Sequence, residues 1–217
     1  MQILKIEQYL NEKLNITPVT KTRLDGFAKP AVDERTKKFI TSNGLEWNPS
    51  TRSYDCKHDI KIYGFNLING KLPIRFGVVM GSFEFDSYCY DELVSLEGSP
   101  RYVGKYFDCS DCKKLDTLEG APQKVDNSFI CYKNELTSLE GAPQEVGGCF
   151  DCRYNRLTSL KGLPKKVGKY VDCSNNRIKS IDVEVEEVGG NMLFGSNKNF
   201  VKPTQKPSWL KGLLIDR

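Results

Sequence analysis

Eight cysteines, a single histidine and a repeating set of aspartates are the residues of this 217-residue chain that could do chemistry. Cys109-x-x-Cys112 and Cys149-x-x-Cys152 both have the spacing of a zinc half-site, although a structural zinc needs four sulfur or imidazole ligands converging as a tetrahedron. His58 stands two residues from Cys56 in YDCKHDIKI; on a strand such a pair shares a face, as a thiol and its base would. No third group or oxyanion loop accompanies that dyad. Asp151 and Asp172 form a spaced pair of carboxylates, too few for a calcium site. Cys112 and Cys149 are the cysteines best placed for redox chemistry. Which of these residues react and which merely pack depends on the elements that hold them.

Those elements repeat. NELTSLEGAPQEVGGCFDC at 134–152 returns as NRLTSLKGLPKKVGKYVDC, and the pairs Leu93/Leu96, Leu115/Leu118, Leu136/Leu139, Leu157/Leu160 and Ile178/Ile181 recur at steps of 22, 21, 21 and 21. A Gly-x-Pro follows each of the first four pairs, at Gly98/Pro100, Gly120/Pro122, Gly141/Pro143 and Gly162/Pro164. Alternating stretches such as Phe150-Asp151-Cys152 predict strands, with Phe150 and Cys152 on one face and Asp151 on the other. Seven strands are expected, near Ile60–Ile62, Phe83–Phe85, Phe107–Cys109, Phe129–Cys131, Phe150–Cys152, Val171–Cys173 and Met192–Phe194. At about 4.8 Å between strands their sheet spans roughly 30 Å. Asn134, Asn155, Asn176 and Asn197 follow at the turns, where a buried amide can serve the backbone of its own coil and of the next. The first two coils are less regular, with LPIRFGVV at 72–79 and extra residues at 87–92.

Phe150-x-Cys152-x-x-Asn155-x-Leu157-x-x-Leu160 fits the pattern L-x-L-x-x-N-x-L-x-x-L, and over residues 60–200 the chain resembles the leucine-rich-repeat family. The short repeat with its Gly-x-Pro is similar to the bacterial and phage subclass, including the repeat part of secreted enterobacterial effectors. The resemblance implies an α/β solenoid: a curved stack with one parallel β-sheet on its concave side. The ten or so remaining residues of each coil, broken by Gly and Pro, predict an extended convex side. About 17 residues follow the last coil, so the ligase domain that such effectors often carry is not expected.

A solenoid needs its ends covered. Residues 1–55 are expected to form a small helical N-terminal cap, with Ile3, Ile6, Leu10 and Leu14 at helical steps and a second helix over 32–43 stopped by Gly44. Residues 56–200 make the solenoid of about seven coils. Residues 201–217 make a C-terminal capping tail through Trp209, Leu210, Leu213 and Leu214; reading WLKGLL as a membrane anchor is the alternative.

Cys109, Cys131, Cys152 and Cys173 fall in one column of the repeat, and Phe194 takes their place in the last coil. A position that accepts cysteine or phenylalanine is filling space. No metal, no cofactor and no catalytic residue is therefore expected. With 32 basic and 28 acidic residues scattered along the chain, net charge +4 does not demand nucleic acid, whose groove would show a one-signed stripe. The N-terminus lacks an uninterrupted apolar stretch and no membrane span is present, which points to the cytosol of a bacterium or its host.

The expected function is a non-catalytic scaffold that binds another protein on the concave face. The resemblance implies a host protein, of a defence or signalling system, that is inhibited or tethered. Alternation assigns that face to Tyr106, Asp108, Tyr132, Lys133, Asp151, Arg153, Tyr154, Tyr170, Asp172 and Asn175. Tyrosines offer contact area at low entropic cost, and charged neighbours offer orientation. Two alternatives are a cysteine-based enzyme or redox protein and a nucleic-acid or nucleotide-binding module.

Overall fold

The computed structural model describes residues 31–183 and 185–216, together with Ile3, Lys5, Ile6, Gln8 and Glu12. Seven rungs stack into a β-solenoid, each contributing one short strand to each of two sheets. One sheet runs through Ser53–Cys56, Phe76–Val79, Tyr102–Val103, Lys124–Val125, Glu145–Val146, Lys166–Val167 and Glu187–Val188; we call it the valine sheet. The other, the phenylalanine sheet, runs through Ile60–Ile62, Phe83–Phe85, Phe107–Asp108, Phe129–Ile130, Phe150–Asp151, Val171–Asp172 and Met192–Leu193. All seven strands of the phenylalanine sheet start where alternation places them; the last five end one residue sooner.

The valine sheet is a correction to the expected single sheet with an extended opposite side. Its strands are only two residues long in the regular rungs, too short to show alternation, yet Val103, Val125, Val146, Val167 and Val188 are all buried and pair in parallel register. The Leu-x-x-Leu segments form the remaining side of each rung without strand pairing, and Leu115, Leu118, Leu136, Leu139, Leu157 and Leu160 are wholly buried.

Three columns explain why the repeat tolerates so little variation. Phe83, Phe107, Phe129 and Phe150 stack at centroid separations of 5.7, 5.3 and 5.5 Å with planes within 8° of parallel. Asn155 Nδ2 donates to Cys131 O at 2.9 Å in the preceding rung and to Cys152 O at 3.1 Å in its own, while its Oδ1 accepts from Leu136 N at 3.1 Å. Asn176 and Asn197 repeat the arrangement. At the Gly-x-Pro corner Gly141 has φ 89°, and a Cβ there would lie 2.6 Å from Leu118 C and 2.7 Å from Leu118 O of the rung before; only glycine fits.

At the N-terminal end, α1 (Glu34–Ser42) begins at Asp33, whose Oδ1 accepts from Thr36 N at 2.7 Å, and ends before Gly44 at φ 52°. Its Phe39 meets Phe76 edge-on at 6.4 Å. A hairpin follows, with Glu46–Asn48 antiparallel to Ser53–Cys56. Ile3 and Ile6 do not cover the end of the stack; they pack against Val78 and Tyr102, on the flank of the valine sheet. Leu10 and Leu14 lie outside the described residues.

The C-terminal tail continues the stack. Leu210 bridges to Val188 in the valine sheet, and Leu214–Ile215 pairs in parallel with Met192–Leu193. Trp209, Leu210 and Leu214 are buried by this partial eighth rung, which accounts for WLKGLL without a membrane. Leu213, expected to help cover the last coil, is instead 64% exposed because it falls on the outward register of the added strand. Among the described residues no helix is long and apolar enough to cross a membrane.

Candidate partner-binding surface

Because side chains alternate, the outward face of the phenylalanine sheet is built from the residues between the buried columns. Strand register places Lys61, Glu84, Asp108, Ile130, Asp151, Asp172 and Leu193 in one line across it. Tyr106 and Tyr170 belong to the flanking line before the strands, and Tyr132 and Arg153 to the line after them. Lys133, Tyr154 and Asn175 occupy the next corner. All ten residues assigned from the sequence thus lie on one face or its rim.

The aspartates do less there than alternation suggests. Asp151 and Asp172 are directly paired on neighbouring strands, where like charges repel. Arg153 resolves the repulsion: its Nε and NH2 group bind the Asp151 carboxylate at 2.9 and 2.7 Å and its Nε lies 3.5 Å from Asp172 Oδ2. Both carboxylates are buried beneath it. Asp108, Asp151 and Asp172 also accept the backbone N–H two residues on, from Ser110, Arg153 and Ser174, which turns the chain out of the strand. Burial pushes the Asp108 carboxyl up, opposed by its bonds from Ser110. These aspartates and Arg153 are therefore components of the scaffold, a role that the spacing Asp-x-Ser, visible at Asp108 and Asp172, could have indicated. Arg156, nearby, pairs with Glu135.

The tyrosines carry the open part of the face. Tyr154 is 50% and Tyr170 42% exposed. Tyr132 lies under two cations, Lys133 Nζ at 5.5 Å and Arg153 Cζ at 5.6 Å from the ring centre. Tyr106 is tied down by donating to Glu84, a contact that raises its phenol pKa. Tyr170 packs its hydroxyl on the Cys149 thiol, which likewise pushes the phenol up. Further along the same end of the sheet, Tyr63 and Phe65 stack at 5.3 Å and Tyr88 is exposed; neither Phe65 nor Tyr88 is indicated by the repeat, because the extra residues of the first coils break its register.

The corner before each asparagine is left-handed: Asp111, Lys133, Tyr154, Asn175 and Ser196 have φ between 53° and 61°. Asp and Asn enter that region readily, whereas lysine and tyrosine do so at a cost of about 1–2 kcal/mol each. Tyr154 and Lys133 hold strained backbone while pointing their side chains to solvent.

The cysteines divide as packing requires. Cys109, Cys131, Cys152 and Cys173 are wholly buried between Phe85 and Phe194 in one column, and burial raises Cys109 and Cys131 far above the ordinary thiol range. Cys112 takes the asparagine position of its rung, where burial raises it to about 12; its N–H donates to Asn134 Oδ1. Cys149 faces outward on another rung while Cys152 faces inward, so the second half-site spacing does not converge, and Cys112 and Cys149 lie on opposite sides of the sheet. Burial also raises Cys56, whose Sγ contacts the His58 carbonyl; the His58 ring instead contacts Asn43 O at 3.1 Å. Burial and raised pKa both slow thiolate attack. In the native protein Cys149 should react with a disulfide reagent as one fast equivalent, the other seven appearing on unfolding. Two or more fast equivalents would contradict the packing role.

Compared with known proteins, the chain matches no family model, no curated protein and no solved structure.

Proposed function

We propose that this protein is a non-catalytic scaffold of the leucine-rich-repeat type, in which the outward face of the phenylalanine sheet is the concave surface that grips another protein. The observation that carries this reading is the rim at Lys133 and Tyr154. The rung sets the left-handed corner, which asparagine fills at Asn175; a tyrosine there costs the fold, and the exposed ring of Tyr154 that it brings is a surface for a partner, beside Lys133, which pairs with Asp111. Tyr132, Tyr154 and Tyr170 supply the contact area, and Lys133 and Asn175 the polar selectivity around them. Arg153, Asp151 and Asp172 act from beneath by fixing the surface before the partner arrives, which lowers the entropic cost of binding. On this reading α1 and the hairpin form a cap, and the partner is a cytosolic host protein, as the resemblance to phage and bacterial repeats implies.

The test separates fold from function. Tyr154→Asn combined with Tyr170→Ser places residues already used elsewhere in those two columns, at Asn175 and Ser128. Stability should stay level or rise by about 1 kcal/mol, since asparagine relieves the left-handed corner. Capture of a stoichiometric partner from source lysate should fall by at least about tenfold. Undiminished capture by the well-folded variant overturns the assignment of the face.

A further inference from the structure

The phenylalanine sheet has an open edge at its N-terminal end, where Ile60–Ile62 pairs with Phe83–Phe85 on one side and, among the described residues, with no strand on the other. Ile60 N donates to Ser82 O and Ile62 O accepts from Asp86 N, both at 2.8 Å, so these two residues turn their backbone groups to the second rung. Successive residues of a strand aim N–H and C=O to opposite sides. Both groups of Lys61, between them, therefore face the open edge, and neither meets a partner among the described residues.

α1 crosses this end of the stack and stops short of the edge. An open groove of about 540 Å3 lies between them, with Arg35, Lys38 and Phe39 on the helix side and Lys61, Tyr63 and Phe65 on the strand side. A helix laid directly on an exposed strand protects it, whereas a groove between the two leaves room for an added strand. Tyr63 and Phe65 stack as one wall, and Phe65 is 64% exposed. The 3-10 turn Gly64–Asn66 that presents Phe65 has no counterpart in the regular rungs, and Tyr63 N donates to Asn66 Oδ1 at 2.8 Å to hold it. The repeat does not demand this wall.

Charge selects among occupants. Lys61 is already bound by Asp86 at 2.8 Å, and Asp59, the acid of the lining, by Lys105 at 3.0 Å. Arg35 and Lys38 are different: both are exposed on α1, Arg35 reaches Asp33 electrostatically without forming an ion pair, and Lys38 pairs with no acid among the described residues. A second copy stacked end to end would bring its opposite edge, Leu214–Ile215, where Lys202 and Lys206 stand against Asp216 alone. Like charge would meet like. An acidic strand meets opposite charge instead.

We propose that this groove takes an extended acidic segment of a second protein as an added strand, its backbone bonded to Lys61, an apolar side chain on Tyr63 and Phe65, and its carboxylates on Arg35 and Lys38. The groove lies at the edge of the sheet, away from Tyr154 and Tyr170, so this site and the partner-binding face can fail separately.

Hydrogen exchange and peptide selection on the full chain test it. In the free protein the Lys61 amide should exchange at least about tenfold faster than those of Ile60 and Ile62. Equal protection would mean that the chain itself covers the edge, and overturns the proposal. Random octapeptides selected by phage display should carry net negative charge and slow exchange at Lys61 when bound. Their affinity should fall about tenfold or more on combining Arg35→Glu with Lys38→Glu, both exposed positions, and survive Tyr154→Asn with Tyr170→Ser. Selection of no peptide, or only of peptides that bind the Arg35/Lys38 variant equally well, leave Lys61 exchange unchanged or require Tyr154 and Tyr170, overturns it. So does self-association abolished by the Arg35/Lys38 variant, which would give the edge to a second copy.

Discussion

Asn155→Ala is expected to destabilise the protein by about 3–5 kcal/mol in urea unfolding, more than any surface change can. Asn155 satisfies three buried backbone groups at once: the Cys131 and Cys152 carbonyls, which accept from its Nδ2, and the Leu136 N–H, which donates to its Oδ1. Alanine leaves the Leu136 N–H without a partner where water does not reach, at about 1–3 kcal/mol, and removes one bond from each carbonyl, at about 0.5–1.5 kcal/mol apiece, Cys131 O keeping Asn134 Nδ2 and Cys152 O keeping Asn176 Nδ2. Asn155→Asp should be no better, since it keeps the acceptor but turns a carboxylate toward two carbonyl oxygens. Asn155→Cys should be milder than either in steric terms, because Cys112 already occupies this corner one end of the column away. A loss below about 1 kcal/mol for the alanine variant would mean that the asparagine column does not hold the rungs together.

Phe129→Ala is expected to cost about 3–5 kcal/mol, through lost burial and the cavity left behind. Phe129 sits in the interior of the aromatic stack, with Phe107 at 5.3 Å on one side and Phe150 at 5.5 Å on the other, so neither neighbour can close the gap without leaving its own rung. Strand pairing holds both in place through the Phe107, Phe129 and Phe150 register. Val171→Ala, in the same column but past the end of the stack, should cost about half as much. Equal losses at the two positions would contradict this account of the column, since even without stacking phenylalanine loses more buried volume than valine.

What was legible in the sequence was whatever recurs on every rung. The strands of the phenylalanine sheet, the buried cysteine column, the two-rung asparagine bonds and the helix stopped at Gly44 all follow from spacing, because one residue type meets the same environment several times over. The valine sheet was harder to see, since strands such as Glu145–Val146 are too short for a period of two to register, and only the Val-Gly phrase found on most rungs betrays them. Strand register puts the ten positions on one face or its rim, yet alternation carries no information about what neighbours do: Arg153 binds Asp151 and Asp172, and the aspartates accept from the turn. Leu213 illustrates the same limit, as an apolar residue put outward by the register of an added strand.

The central claim is that this solenoid meets its partner on the phenylalanine sheet. Site-specific photocrosslinking tests it most directly: a photoreactive phenylalanine analogue replaces Tyr132 in one protein and Glu187, on the outer side of the valine sheet, in another, each exposed to source lysate. The account predicts one discrete crosslinked species from position 132 and none from position 187. Crosslinking from position 187 with none from 132 would contradict it and move the interface to the opposite sheet.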